Sequence, residues 1–245
     1  MGDLPPHLRP FVLPTPRVER ERGDTVDFYL PAGGGRVPAI VFVHGGPVPA
    51  DLRPTMRETP VYVGYGSQAA ARGVVGVTAD LRLHDLTDYP RAAGDAAAAV
   101  DAARRHRRVD PDRIAVWAFS GGGLLLADWL REPPGWLRCL GATYPLLAPW
   151  DGAPIEDRFR PADALAGAGS VPIVLTRVGR ERPWLAGAVA EFLAAARVCG
   201  VPVEVVDVPT GQHAFDMLDH TDESRRAVHA AFDAVLAHLS TEAAR

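Results

Sequence analysis

The 245-residue chain contains no lysine, so all 26 of its basic residues are arginines. Schiff-base catalysis and a phosphate-gripping P-loop both require a lysine amine and are thereby excluded. Only two cysteines occur, Cys139 and Cys199. They are too few for a disulfide framework and read as two small buried apolar residues. No run approaches the roughly 18 apolar residues of a membrane span. Asp3 and the prolines at 5, 6, 10, 14 and 16 leave no apolar signal-peptide core near the start. The expectation is a cytoplasmic protein that does not engage membranes. Positive charge is also short: a formal net charge of -4 gives no electrostatic footprint for nucleic acid. The one basic run, Arg104-Arg105-His106-Arg107-Arg108, reads as the solvated end of a helix.

What is present suits one large core. A chain of 245 residues, 47% hydrophobic and 23% charged, fits a single α/β domain. Residues 1–22 read as a proline-rich, extended N-terminal arm, because each proline fixes φ and discourages helix in its predecessor. Residues 23–245 then form the domain. Whether the arm packs on the domain or mediates a homo-oligomer is left open by the residues. Val26, Phe28 and Leu30 alternate with polar neighbours, as in a half-exposed strand. Further strands are expected at 39–43, 74–79, 114–119, 138–144, 172–176 and 203–208. Helices are expected near 67–72, 93–107, 121–131, 184–198 and 222–239. Short apolar strands separated by helices imply a mostly parallel sheet covered on both faces. Residues 145–170 lack periodicity, and a loop longer than about 15 residues in a compact domain is commonly functional. They are expected to form a short cap over the carboxyl ends of the strands, where such sheets bind ligands.

The most informative string is Ala118-Phe119-Ser120-Gly121-Gly122, placed between an apolar strand run and a helix-like stretch. A serine at a sharp strand-to-helix turn has its hydroxyl pushed clear of the backbone, and small neighbours let the turn close. Two further strings follow strands in the same way: His44-Gly45-Gly46-Pro47 after 39–43, and Gly211-Gln212-His213-Ala214-Phe215-Asp216 after 203–208. A third strand, 173–176, runs into Val178-Gly179-Arg180-Glu181 between them. Taken together, residues 25–240 resemble the α/β-hydrolase superfamily, nearest to its dienelactone-hydrolase-like and small-carboxylesterase branches. Ala118 departs from the usual first glycine of the elbow.

The resemblance implies an α/β-hydrolase fold and a serine hydrolase acting on a small carboxylic ester, lactone or thioester, with the catalytic order serine, acid, histidine. Ser120 is then the nucleophile and His213 its base. Glu181 stands where the family places its acid, although aspartate is commoner there; Asp207, at the end of the next strand, is the reserve. Backbone N–H groups must stabilise the developing oxyanion. Gly121 offers one by the geometry of the elbow, and Gly46 or Gly45 the other. Pro47 has no N–H, so the fourth position of the motif cannot serve; the hydroxyl of Tyr62 or Tyr65 is a substitute. Phe119, Tyr65, Trp150 and Trp184 are candidate pocket walls. His44 is expected to fix its loop by hydrogen bonding.

Other chemistries are weighed against this one. His84-Asp85 with Asp80 and Asp88 matches no established ligand spacing, and no metal or other cofactor is expected. Residues 61–69 read as a short strand followed by G-x-G-x-x-A, a dinucleotide-like pattern, yet the strand is only three residues long and the acid, Asp80, comes too early. An acyltransferase or a non-hydrolytic enzyme of the same fold is the main alternative. A peptidase, suggested by HGGP and the Asp110-Pro111-Asp112-Arg113-Ile114 entry to the elbow strand, and a non-catalytic binding module stand behind it.

Overall fold

Apart from the first, the strands form where the apolar runs lie. They are β1 (Glu19–Arg22), β2 (Val26–Leu30), β3 (Val37–Val43), β4 (Val75–Ala79), β5 (Val109–Phe119), β6 (Leu137–Thr143), β7 (Ile173–Arg180) and β8 (Val203–Gln212). The structure is a computed structural model that describes residues 4–240. Residues 1–3 of the expected arm and 241–245 of the expected domain lie outside the described residues. Among those described, the strands join in one sheet of order β1-β2-β4-β3-β5-β6-β7-β8. β1 and β2 pair antiparallel at one edge, and β4 through β8 run parallel.

Side chains alternate across the sheet with period 2, which builds two cores. Val41, Val43, Val116 and Ala118 face one layer, packed by α2 (Tyr89–Arg105), α3 (Leu126–Arg131) and α5 (Pro183–Cys199). Ile40, Phe42, Ala115, Trp117 and Phe119 face the other, packed by α1 (Pro60–Ala71) and α7 (Asp222–Ser240). On α2 the buried stripe is Ala92, Ala96, Ala99 and Ala103, small residues at helical spacing that bring the helix close to the sheet. Among the described residues no helix is long and apolar enough to cross a membrane.

Three local expectations need correction. First, the apparent strand at 61–63 is the first turn of α1, opened by Pro60 at a position where proline is well tolerated. Its glycines make room for neighbouring rings: a Cβ on Gly64 would stand 2.3 Å from Phe11, and one on Gly66 2.3 Å from Tyr29. Second, the proline-rich segment carries β1 as its last four residues, and its Phe11, Val12 and Leu13 are buried. Third, the basic run is not simply solvated. Arg108 is buried and donates to the carbonyls of Gly35 and Pro31, while His106 and Arg107 pair with Glu21.

The chain after β6 forms an inserted cap region. It holds a 3₁₀ turn at Asp157–Phe159, the short helix α4 (Pro161–Ala164) and a second 3₁₀ turn at Leu165–Gly167. Its anchor is Phe159, which is fully buried and packs against the Tyr89 ring with centroids 5.5 Å apart.

Candidate active site

Ser120 follows directly on β5 and begins a 3₁₀ turn, Ser120–Leu125, that leads into α3. Its φ is +48°, the left-handed region that L-residues rarely occupy and that costs about 1–3 kcal/mol. The glycines after it permit the turn: a Cβ on Gly121 would stand 2.2 Å from the Gly46 carbonyl oxygen, and one on Gly122 2.5 Å from that of His44. The HGGP loop and the elbow are therefore packed backbone against backbone.

The acid and the base meet because of strand register. Arg180 of β7 pairs with Gln212 of β8, so the next residues, Glu181 and His213, emerge side by side. Ser120 Oγ donates to His213 Nε2 at 2.8 Å, and His213 Nδ1 donates to Glu181 Oε2 at 2.6 Å. The Glu181 side chain is only 6% exposed, and its other oxygen accepts the N–H of Arg182 at 2.8 Å. Asp207, the reserve acid, is half-exposed and paired with Arg177 at 2.5 Å.

Around the serine, the N–H of Gly121 lies in the first turn of its 3₁₀ segment, where no intrahelical acceptor exists. Gly46 lies directly against it. The Gly45 N–H is committed to the Tyr62 hydroxyl at 3.3 Å, and Tyr65 donates to Asp216 at 3.0 Å, which takes both away from an oxyanion. His44 is buried; it donates from Nδ1 to the Gly45 carbonyl at 2.6 Å and accepts the Leu81 N–H at Nε2, 2.9 Å. Those bonds tie the glycine loop to the chain after β4, and burial pushes the imidazole's pKa down, keeping it neutral.

No protein-family model matches this chain, and no curated protein sequence does. Solved structures are similar. Esterase Est22 aligns with a TM-score of 0.71 at 17% identity, over 92% of this chain and 81% of that one. The apo form of esterase 2 from Thermogutta terrifontis gives 0.67 at 19% identity, over 94% and 98%. Dipeptidyl peptidase 4 from Porphyromonas gingivalis gives 0.64 at 16% identity, over 85% of this chain and 33% of that one. The chain has the α/β-hydrolase fold.

Within this α/β-hydrolase fold the four aromatic candidates separate. Phe119 and Tyr65 are each 1% exposed and sit among Phe42, Trp117 and Phe232 in the core beneath the site, so they do not wall an open pocket. Trp150 and Trp184 are both nearly half exposed and pack edge-to-face with centroids 5.8 Å apart, bridging the cap and the start of α5. A small cavity of about 120 Å³ opens beside Glu181, lined by Tyr144, Arg177, Val178 and one side of α5. A second, of about 240 Å³, lies behind the HGGP loop against Val48, Leu52, Met56, Arg53 and His84.

Two residues next to His213 went unassigned in the sequence. Tyr144, just past β6 with φ +37°, places its ring 4.8 Å from the imidazole. Its hydroxyl donates to Asp216 at 2.8 Å. Asp216 is fully buried, and burial pushes its carboxyl up to about 6 against the opposing hydrogen bonds from Tyr144 and Tyr65. The available signal was an acid three residues after the base inside an otherwise apolar string.

Proposed function

We propose that this protein is a serine hydrolase that cleaves a small carboxylic ester, lactone or thioester through an acyl-enzyme, as a member of the dienelactone-hydrolase-like and carboxylesterase branch. The observation that carries the reading is the unbroken hydrogen-bonded chain Ser120–His213–Glu181 at a strained elbow. Serine is a weak nucleophile until a base removes its proton. His213 Nε2 takes that proton as Ser120 Oγ attacks the carbonyl carbon. Glu181 holds Nδ1–H in place and stabilises the imidazolium. The tetrahedral oxyanion is received by the N–H groups of Gly121 and Gly46. His213 then returns the proton to the leaving oxygen or sulfur. Water, deprotonated by the same imidazole, releases the acid and restores Ser120.

The small cavity beside Glu181 supports a compact substrate group, and the 28% exposure of the His213 side chain supports water as the acyl acceptor. Two of the similar structures are named esterases, which agrees with this reading. Two unpaired cysteines, one buried and one exposed, support residence in the reducing cytoplasm. Ser120→Ala is expected to lower kcat on p-nitrophenyl esters by about 10⁴-fold or more and to abolish labelling by a fluorophosphonate. Near-normal turnover in that variant would rule out the covalent route.

A further inference from the structure

His213 becomes a cation each time it accepts the serine proton, and its surroundings decide how costly that is. Glu181 opposes the charge from the Nδ1 side. Linked to the imidazole through the Tyr144 ring, 4.8 Å from it, is Asp216, wholly buried, with both carboxylate oxygens 2.8 Å from the Tyr144 hydroxyl and one of them 3.0 Å from the Tyr65 hydroxyl. Among the described residues its side chain makes no ion pair. Its backbone carbonyl accepts the Val12 N–H at 2.8 Å. Three backbone segments are thereby tied to one carboxylate: α1 through Tyr65, the chain after β6 through Tyr144, and the histidine loop itself, where Ala214 sits at φ +61°.

A buried carboxylate partnered only by neutral donors is expensive to keep ionised, and a structure that needed it only for shape would be served as well by an amide. The titratable groups facing it are Tyr62 and Tyr65 from α1, Tyr144 after β6 and His213 from its own loop. His213 is the one among them that becomes positively charged, and the attraction between it and Asp216 favours the carboxylate. Charged groups on neighbouring elements are occupied elsewhere: Asp219 accepts from Gln212, Glu223 from Thr210, and Asp222 pairs with Arg225. The turn Pro6–Leu8, also packed nearby, brings His7.

Resting on the serine-hydrolase reading above, we propose that Asp216 is a positioning residue for His213: its carboxylate locks the Tyr144 ring against the imidazole through the hydroxyl bond and stabilises the imidazolium as it forms. It touches neither substrate nor the transferred proton. The carboxylate of Glu181 orients the base, and that of Asp216 holds the wall on which the base rests and supplies a second negative charge.

The test has one readout that needs no turnover. In a Ser120→Ala background, the His213 imidazole is titrated by NMR with and without Asp216→Asn. Loss of the anionic neighbour is expected to move that titration to lower pH. In the enzyme with Ser120 intact, Asp216→Asn is expected to cut kcat about tenfold with KM little changed, and to move the acid limb of kcat/KM to lower pH. Tyr144→Phe is expected to move that limb the same way but less far, because Asp216 loses a donor, holds its proton to higher pH and is an anion beside the imidazole over a narrower range. A merely structural role predicts neither displacement. An unmoved imidazole in Asp216→Asn, or a limb that stays put or moves to higher pH in either variant, would overturn the proposal. If the substitution at 216 prevents folding, Tyr144→Phe alone still decides: a limb that does not move to lower pH overturns the proposal. Failure of the serine-hydrolase reading itself would show separately, as fluorophosphonate labelling or turnover that survives Ser120→Ala.

Discussion

Asp27 and Asp216 are both wholly buried, yet they are kept in opposite company. Asp27, on β2, is surrounded by guanidinium groups: Arg20 bonds it through Nε at 3.2 Å and through Nη2, Arg57 through Nη1 at 3.1 Å, and Arg22 stands 3.9 Å away. Arg57 also donates to the carbonyls of Gly23 and Asp24, so one carboxylate fastens the antiparallel edge of the sheet to the segment that enters α1. Asp216 has phenols and an imidazole around it and, among the described residues, no arginine bonded to it. In a chain whose every cation is a forked guanidinium, leaving one interior acid without such a partner is informative. The first aspartate serves architecture. The second is left near its titration point in the loop of His213, the proposed base, where a charge that can respond is of use.

The contrast can be pressed hardest at Asp27. Asp27→Ala strands buried guanidinium charge and is expected to destabilise the protein by about 3–5 kcal/mol, read as a lowered midpoint in urea. A loss no larger than that of Asp216→Asn at neutral pH would erase the distinction.

A slightly smaller effect separates the two by pH. The Asp216 carboxyl is raised from 3.8 to about 6 in the folded protein, so the folded state binds this proton more tightly than the unfolded chain does. Its stabilising contribution is complete below about pH 4 and is lost as pH rises through 6, an amount on the order of 3 kcal/mol. The stability of the native protein relative to Asp216→Asn should therefore fall by that order between pH 4 and 7. A flat difference across that window would mean that the buried acid does not titrate there.

The smallest expected effect is at the surface. Asp207→Ala removes a half-exposed pair with Arg177 and should cost less than about 1 kcal/mol, with kcat unchanged. A collapse of kcat would instead make Asp207 the partner of the imidazole in place of Glu181.

Much of the fold was legible because its central strands are short, apolar and separated by helices, a pattern that local periodicity reports directly. The positions of Ser120, Glu181 and His213 were legible for a related reason: each follows a strand, and parallel strands deliver their carboxyl ends to one edge. What escaped was set by partners distant in the chain. α1 buries Val61, Tyr62, Gly64, Tyr65, Gly66, Ser67 and Gln68, residues all around its axis, so no polar stripe marked its start at Pro60. β1 reads Glu-Arg-Glu-Arg, without an apolar face, and is held by pairing with β2 and by bonds such as Arg20 to Asp27. Phe119 and Tyr65 looked like pocket walls because aromatic residues near a nucleophile suit either role; the sheet's alternation sends Phe119 inward, and Tyr65 enters the same core from α1. Asp216 gave little local sign, since its partners Tyr144 and Tyr65 lie 72 and 151 residues away.

The proline-rich leader reaches further into the chemistry than its composition suggests. Phe11 fills the space left by Gly64 and packs tilted against Tyr65 with ring centroids 4.7 Å apart, Pro14 accepts from Gln68 at 2.5 Å, and Val12 grips the main chain of Asp216. Shortening a protein for display or fusion commonly begins by discarding such a leader. Here a cut after residue 14 would withdraw a wedge from under Tyr65 and Asp216, and the proposed catalysis would report a deletion made far away along the polypeptide.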